Sequence, residues 1–227
     1  MNYYRLDRED NPKIAGKVFP QAWAHQQPAE KQRLTTTGDS LLLQNERHPS
    51  IPEFECLTLS YNAKITDIIT TSVVHRPAIS RKAAEIFAGC NLGRHEMYKC
   101  PLYTQTGALE YYCIYPMNSM VEFVNFYNTF FRANIHEPEC YTLKMAGIGS
   151  YNGYKSLSEI ISEPVTLGKY LALKKGFDKE LDYFAIPEIQ VFYGLVSERL
   201  KSKLEEAGIT GVKFSPLEVL VEPDFIA

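Results

Sequence analysis

Hydrophobic positions are sparse and irregular up to residue 54 and periodic beyond it. In the first stretch Pro12, Pro20, Pro28, Pro49 and Pro52 interrupt any long element, and Gln, Asn, Thr and charged residues fill the gaps. Residues 1–54 therefore read as an irregular N-terminal wrap with a few short elements, among them a strand at Leu41-Leu42-Leu43. From Glu55 to Tyr61 the residues Cys56, Thr58 and Ser60 alternate with Leu57, Leu59 and Tyr61, the period of a strand with two unlike faces. Thr66 to Thr71 reads as another strand.

Two helices carry clear start and stop signals. Ser80 supplies a hydroxyl for the free amides of a first turn, Ala83, Ile86 and Phe87 make an apolar stripe, and Gly89 ends it. Ser197 caps the second helix, in which Glu198 faces the positive end of the helix dipole and Leu200, Leu204 and Ala207 form the stripe before Gly208. His95 to Tyr103 and Leu109 to Tyr115 predict two strands joined across Gln105-Thr106-Gly107-Ala108. The aromatic residues of Val121 to Arg132 fit helical spacing, but β-branched and aromatic enrichment favours extended structure. Val212 to Val221 predicts a final strand interrupted at Pro216. Residues 55–227 are thus expected to form one α+β unit with a mixed, mainly antiparallel sheet, compact together with the wrap. The runs from Ile79 to Leu102 and from Val196 to Leu217 share an order of apolar residue, Ser cap, helix, Gly, strand and Pro. That order suggests two diverged helix–strand repeats, although capped helices followed by strands are also common units.

Composition narrows the function. At 227 residues, with 45% hydrophobic and 22% charged residues, the chain buries enough surface to fold without disulfide or metal, and no run approaches the roughly 20 apolar residues of a membrane span. Met1 to Arg8 lacks a signal-peptide pattern, and five cysteines at irregular spacing suit reduced thiols, so a cytoplasmic location is expected. The net charge of −3, with only Arg81-Lys82 and Lys174-Lys175 as basic pairs, argues against a nucleic-acid partner. Residues 114–227 hold 11 basic and 15 acidic side chains, against 13 and 12 in residues 1–113.

Catalytic and metal constellations are weak. Cys90, His95, Cys100 and Cys113 lack the close ligand pairs of a zinc knuckle and read better as buried thiols. His136-Glu137-Pro138-Glu139-Cys140 gathers a base, two acids and a thiol but looks like a solvated turn before a strand at Tyr141 to Met145. Gly147-Ile148-Gly149-Ser150-Tyr151-Asn152-Gly153 misses the phosphate-loop spacing. Neither an enzyme nor a cofactor is expected from these. Tyr151 and Tyr154 beside Gly, Ser and Asn have the composition of an adaptable recognition loop. Asp178, Glu180 and Asp182 beside Tyr183 form an acidic, aromatic segment suited to a basic protein partner.

The C-terminal run Leu195-Val196-Ser197-Glu198-Arg199-Leu200, continued by Gly208-Ile209-Thr210-Gly211-Val212-Lys213-Phe214-Ser215-Pro216-Leu217, resembles the closing segment of the bacterial family known as immunity protein family eleven. The likeness covers about the last thirty residues well. It extends loosely over the region from Ile79, and at the N-terminus only to the Tyr-Tyr start and proline-rich lead. It implies an antitoxin encoded beside a polymorphic toxin or a type VI or contact-dependent effector, which it neutralises in the cytoplasm, and it names no site residue. The toxin-facing residues expected from composition are Tyr151, Tyr154, Asp178, Glu180, Asp182 and Tyr183, with no metal, cofactor or membrane. A small Cys/His enzyme and a secretion-system adaptor are the competing readings.

Overall fold

A computed structural model describes residues 2–25, 56–71, 77–116, 120–135, 141–161 and 164–222. The chain runs through β1 (Asn2–Arg8), β2 (Ala22–His25), β3 (Cys56–Leu59), β4 (Ile68–Ile69), β5 (Ala78–Ser80), α1 (Arg81–Ala88), β6 (His95–Lys99), β7 (Leu102–Thr104), β8 (Gly107–Leu109) and β9 (Tyr111–Pro116). It continues through β10 (Phe131–Ile135), β11 (Tyr141–Met145), α2 (Tyr151–Ile160), β12 (Val165–Leu167), β13 (Tyr170–Leu173), β14 (Tyr183–Ile186), β15 (Val191–Ser197), α3 (Glu198–Glu206) and β16 (Val212–Val221). The fold is α+β, with mostly antiparallel sheets in the orders β4-β5-β9-β6, β14-β15-β1-β16-β13, β2-β3-β7-β8 and β11-β10-β12.

The first two sheets are built alike. In each, a strand ends on a serine that caps a helix, and the helix returns as a strand two places away in the sheet: β5-α1-β6 and β15-α3-β16. The strand between them is β9 in the first unit, reached after β6 through β7 and β8, and β1 in the second. The start of the chain therefore closes the second unit. Register makes the match residue by residue, because Ser80 lies opposite Tyr111 as Ser197 lies opposite Tyr3. The Tyr111 hydroxyl donates to the Thr66 carbonyl at 2.5 Å, and the Tyr3 hydroxyl donates to the Leu181 carbonyl at 2.8 Å. In each unit the next residue is an aspartate, Asp67 or Asp182. Its backbone carbonyl accepts from the cap serine's N–H at 2.6 and 2.8 Å, and its carboxylate accepts from the same serine's hydroxyl at 2.9 and 2.5 Å. Each serine oxygen then accepts from the third helical amide, Ala83 or Leu200, satisfying one of the orphan donors of a helix start.

The units also interlock. The loop after α1 sends the Asn91 N–H to Asp182 at 2.8 Å, and the loop after α3 sends the Thr210 N–H to Asp67 at 3.0 Å. Lys82 of α1 donates to the Ala207 carbonyl at the end of α3, while Lys203 of α3 donates to the Gly89 carbonyl at the end of α1. These contacts place cations on the unsatisfied carbonyl ends of the helices. Between the helices and sheets lies a shared core of Leu6, Ile79, Ala83, Phe87, Val196, Leu200 and Leu204. The crossing loops pass close to their neighbours at two glycines, and at Gly211 the neighbour is backbone, so only glycine fits there. Gly211, at φ +98°, would put a Cβ 2.0 Å from the Ile68 carbonyl, and Gly93, at φ +61°, would put one 2.9 Å from Leu181.

Several expectations change. Asn2–Arg8 is a central strand of the five-stranded sheet and not part of a wrap, because Tyr3 and Leu6 are buried on its two faces. The strand expected over His95 to Tyr103 splits at Cys100-Pro101 into β6 and β7, which belong to different sheets, and the return strand splits likewise at Glu110 into β8 and β9. Proline has no N–H for a ladder, so a corner at Pro101 is the position that loses least. Pro216 does not interrupt β16, since it pairs with Tyr4 on one side while β13 joins the other side only from Glu218 onward. The two prolines are not equivalent: Lys99, not Pro101, occupies the Pro216 position opposite its Tyr-Tyr pair.

Val121 to Arg132 becomes strand only at Phe131, apart from an extended residue at Val124 that bridges Leu173. Before it come a short 3-10 turn at Val121–Phe123 and a turn in which the Asn125 side chain accepts from the Asn128 N–H. Its aromatic spacing reflects Phe126 and Phe131 stacking into the second core cluster rather than a regular period. Leu41-Leu42-Leu43 and His136 to Cys140 lie outside the described residues.

Candidate interaction face

The six residues expected to face a partner do not form one surface. Ser150 caps α2 by accepting from the Gly153 N–H, so the stretch read as a recognition loop is a helix start. Tyr154 is buried there, donates from its hydroxyl to the Val165 carbonyl at 2.6 Å and packs on Phe126 and Phe131. Its burial pushes the phenol up to about 12. Tyr183 is buried against Phe87, and its phenol is raised for the same reason. Asp182, 1% exposed, is the hub that binds Ser197, Asn91 and the Arg199 guanidinium, the last at 2.9 and 2.8 Å. Burial pushes its carboxyl up, but the hydrogen bonds from Arg199, Ser197 and the Asn91 amide outweigh this and hold it below the usual carboxylate range. These three residues are structural and offer nothing to a partner.

Tyr151, Asp178 and Glu180 stay at the surface. Tyr151 is half-buried beside Phe126 and lines a cleft with Val121, Asn125 and Lys174. Asp178 and Glu180 sit on the turn before β14, where Asn91 ties them to the loop after α1. The alternation of acids along 178–182 reflects one carboxylate turned inward and two outward, which spacing alone does not distinguish.

A different surface presents large apolar side chains. Phe19 (60% exposed), Trp23 (54%) and Tyr61 (79%) stand out, with Ile14 and Ile65 also exposed. All five belong to two segments that run together, 14–23 and 58–65. Trp23 pairs with Thr58, the Ser60 N–H donates to the Gln21 carbonyl, and Gly16 bridges Ala63. A buried side chain holds this ribbon to the fold: Gln21 accepts from the Thr70 N–H at 3.2 Å and donates to the Lys64 carbonyl at 3.1 Å and the Thr66 hydroxyl at 3.2 Å. With every polar end of Gln21 used, the segment is fixed from below. The Arg8 guanidinium lies 4.6 Å from the Phe19 ring centroid, over its face. Lys13, Lys17 and Lys64 add cations to the ribbon, and Glu9 and Asp10 share a cleft of about 360 Å³ with Arg8 and Phe19. Sequence reading passed over these aromatics because they fall in or beside the proline-rich lead. The one available signal was that the chain's single tryptophan stands there, three residues after Pro20.

Among the described residues, no group of three or more His, Cys, Asp or Glu side chains is placed to hold a metal ion, and Cys56, Cys100 and Cys113 are buried. No helix among them is long and apolar enough to cross a membrane. Compared with models of known protein families and with curated proteins, the chain matches none.

Proposed function

We propose that the protein is an immunity protein that binds one cognate toxin in the cytoplasm and occludes it, using the ribbon that presents Phe19, Trp23 and Tyr61. The observation that carries this reading is three large aromatic side chains, each more than half exposed, on a ribbon pinned from beneath by a buried glutamine. Trp, Tyr and Arg dominate the energetic centres of protein interfaces, and here Trp23 and Tyr61 are carried on one firmly held ribbon. The likeness of the C-terminal run to immunity protein family eleven supplies the kind of partner. The cations around the ribbon, Arg8, Lys13, Lys17 and Lys64, suit an acidic rim on that partner, the opposite of the charge expected from residues 178–182.

The test is co-expression with the toxin encoded beside the gene. Growth should be rescued, and inhibition of the purified toxin should saturate at one equivalent of protein. Failure to rescue, or full inhibition by a small fraction of an equivalent as an enzyme would give, overturns the proposal.

A further inference from the structure

A second concave region lies between the five-stranded sheet and the small sheet of β10 to β12. Its volume is about 600 Å³, and it shares Arg8 and Asp10 with the cleft beside Phe19. Three arginines line it, none with a carboxylate partner among the described residues; Arg8 lies over the Phe19 ring, which leaves Arg5 and Arg132. Arg5 extends from β1, and its Nε is shut off from solvent with no acceptor, while its terminal nitrogen reaches the Leu167 carbonyl only at 3.4 Å. Arg132 lies on β10 directly opposite Thr166, the residue before Leu167, so the two arginines meet neighbouring residues of β12. Arg132 is exposed, and its guanidinium has no hydrogen-bond or ion-pair partner among the described residues. Of the acids that line the cleft, Asp10 pairs with Lys213 at 2.7 Å, and Asp7 has no ion-pair partner among the described residues.

A half-buried arginine with an orphaned donor is under-satisfied, because a donor taken from water without an acceptor loses its hydration and gains nothing in return. A planar guanidinium presents a fork of donors matched to two oxygens at once, and a second guanidinium nearby completes a receptor for an oxyanion. We infer that the cleft between β1 and β12 is an oxyanion-binding site in which Arg5 and Arg132 together hold a carboxylate or phosphate group. This inference stands apart from the toxin-binding proposal and survives its failure.

The probe is NMR titration of the intact protein with inorganic phosphate and, separately, with succinate, at constant ionic strength, following the amides of Thr166 and Leu167 and the arginine Nε–H signals. Saturable shifts in the millimolar range are expected for at least one anion. Arg132→Gln should weaken binding at least about tenfold, or about 1.4 kcal/mol, while melting like the parent. Arg5→Lys, which keeps the charge and loses the fork, should weaken it as well. Tighter binding of phosphate identifies a phosphate or phosphomonoester ligand, and tighter binding of succinate identifies a carboxylate, as an acidic side chain would supply. Linear, unsaturated shifts with both anions to about 50 mM, or parental affinity in Arg132→Gln, overturn the site.

Discussion

The two helix–strand units share a frame but anchor it differently. Asp67 and Asp182 occupy the same place in each, and both accept from a cap serine and from the loop of the other unit. Asp182 adds a two-pronged ion pair with Arg199 and is sealed from water, whereas Asp67 takes the Thr210 hydroxyl at 2.9 Å and stays partly open. The second unit is therefore held ionically and the first by neutral donors. The units differ again in their middle strand, which follows in sequence in the first and comes from the opposite end of the chain in the second. A common hydrogen-bond frame thus tolerates different chain connections, provided that the Tyr-Tyr strand arrives between β15 and β16.

The largest effect should come from that strand. Removing residues 2–8 takes out the ladders to both β15 and β16 together with the buried Tyr3 and Leu6, and should abolish cooperative unfolding. Asn2 lies opposite Glu218 in register, so reattaching the seven residues after Glu222 through a short turn would make the second unit connect like a hairpin. That variant should regain a single cooperative transition by circular dichroism. If it stays unfolded while a peptide of residues 2–8 added in trans restores the fold, the connection matters in a way the shared frame does not explain.

Next come the aspartates. Asp182→Ala should cost about 3 kcal/mol in urea unfolding, because it strips the cap serine, a crossing amide and Arg199 of one buried acceptor, while Asp67→Ala should cost about 1–2 kcal/mol. Equal costs would show that the ion pair adds nothing. The lowered pKa of Asp182 fixes the sign of its pH dependence. Its contribution is complete above the ordinary carboxyl value of about 4 and is lost as pH falls below it, through the lower folded value. Asp182→Asn should accordingly flatten the fall in stability below about pH 4. A fall as steep as the parent's would assign acid sensitivity to other groups.

The smallest effect tests equivalence itself. Tyr3→Phe and Tyr111→Phe each remove one buried hydroxyl that donates to the carbonyl preceding an aspartate, and each should cost about 1 kcal/mol, the two within a few tenths of each other. Markedly unequal values would mean that the matching geometry hides different surroundings.

Much of this frame could be read in advance. Ser80 and Ser197 cap as their composition dictates, and the cap, helix and following strand of the two runs hold matching places in their sheets, although their prolines do not. The counterpart of β9 was hidden because it lies at the other end of the sequence, so Tyr3-Tyr4 and Tyr111-Tyr112 hold equivalent places in the two units with no linear repeat to reveal them. The surface was harder. Asp182 and Tyr154 have the residue types of a recognition site, yet long-range partners, Arg199 with Asn91 and Val165, draw them inward. Trp23 and Phe19 have the residue types of a core, yet they stand outside, Trp23 because its neighbour Ala22 takes the inward place in β2.

On the proposed antitoxin function, calorimetric titration with a toxin that the protein neutralises in co-expression decides most directly which surface works. Phe19→Ala, Trp23→Ala and Tyr61→Ala should each weaken binding, at least one of them by about 2 kcal/mol or roughly thirtyfold, with parental melting temperatures. Tyr151→Ala and a combined Asp178→Ala, Glu180→Ala variant should bind like the parent. Parental affinity in all three aromatic variants, with loss in the Tyr151 or acidic variants, would contradict the account and return the interface to the other surface.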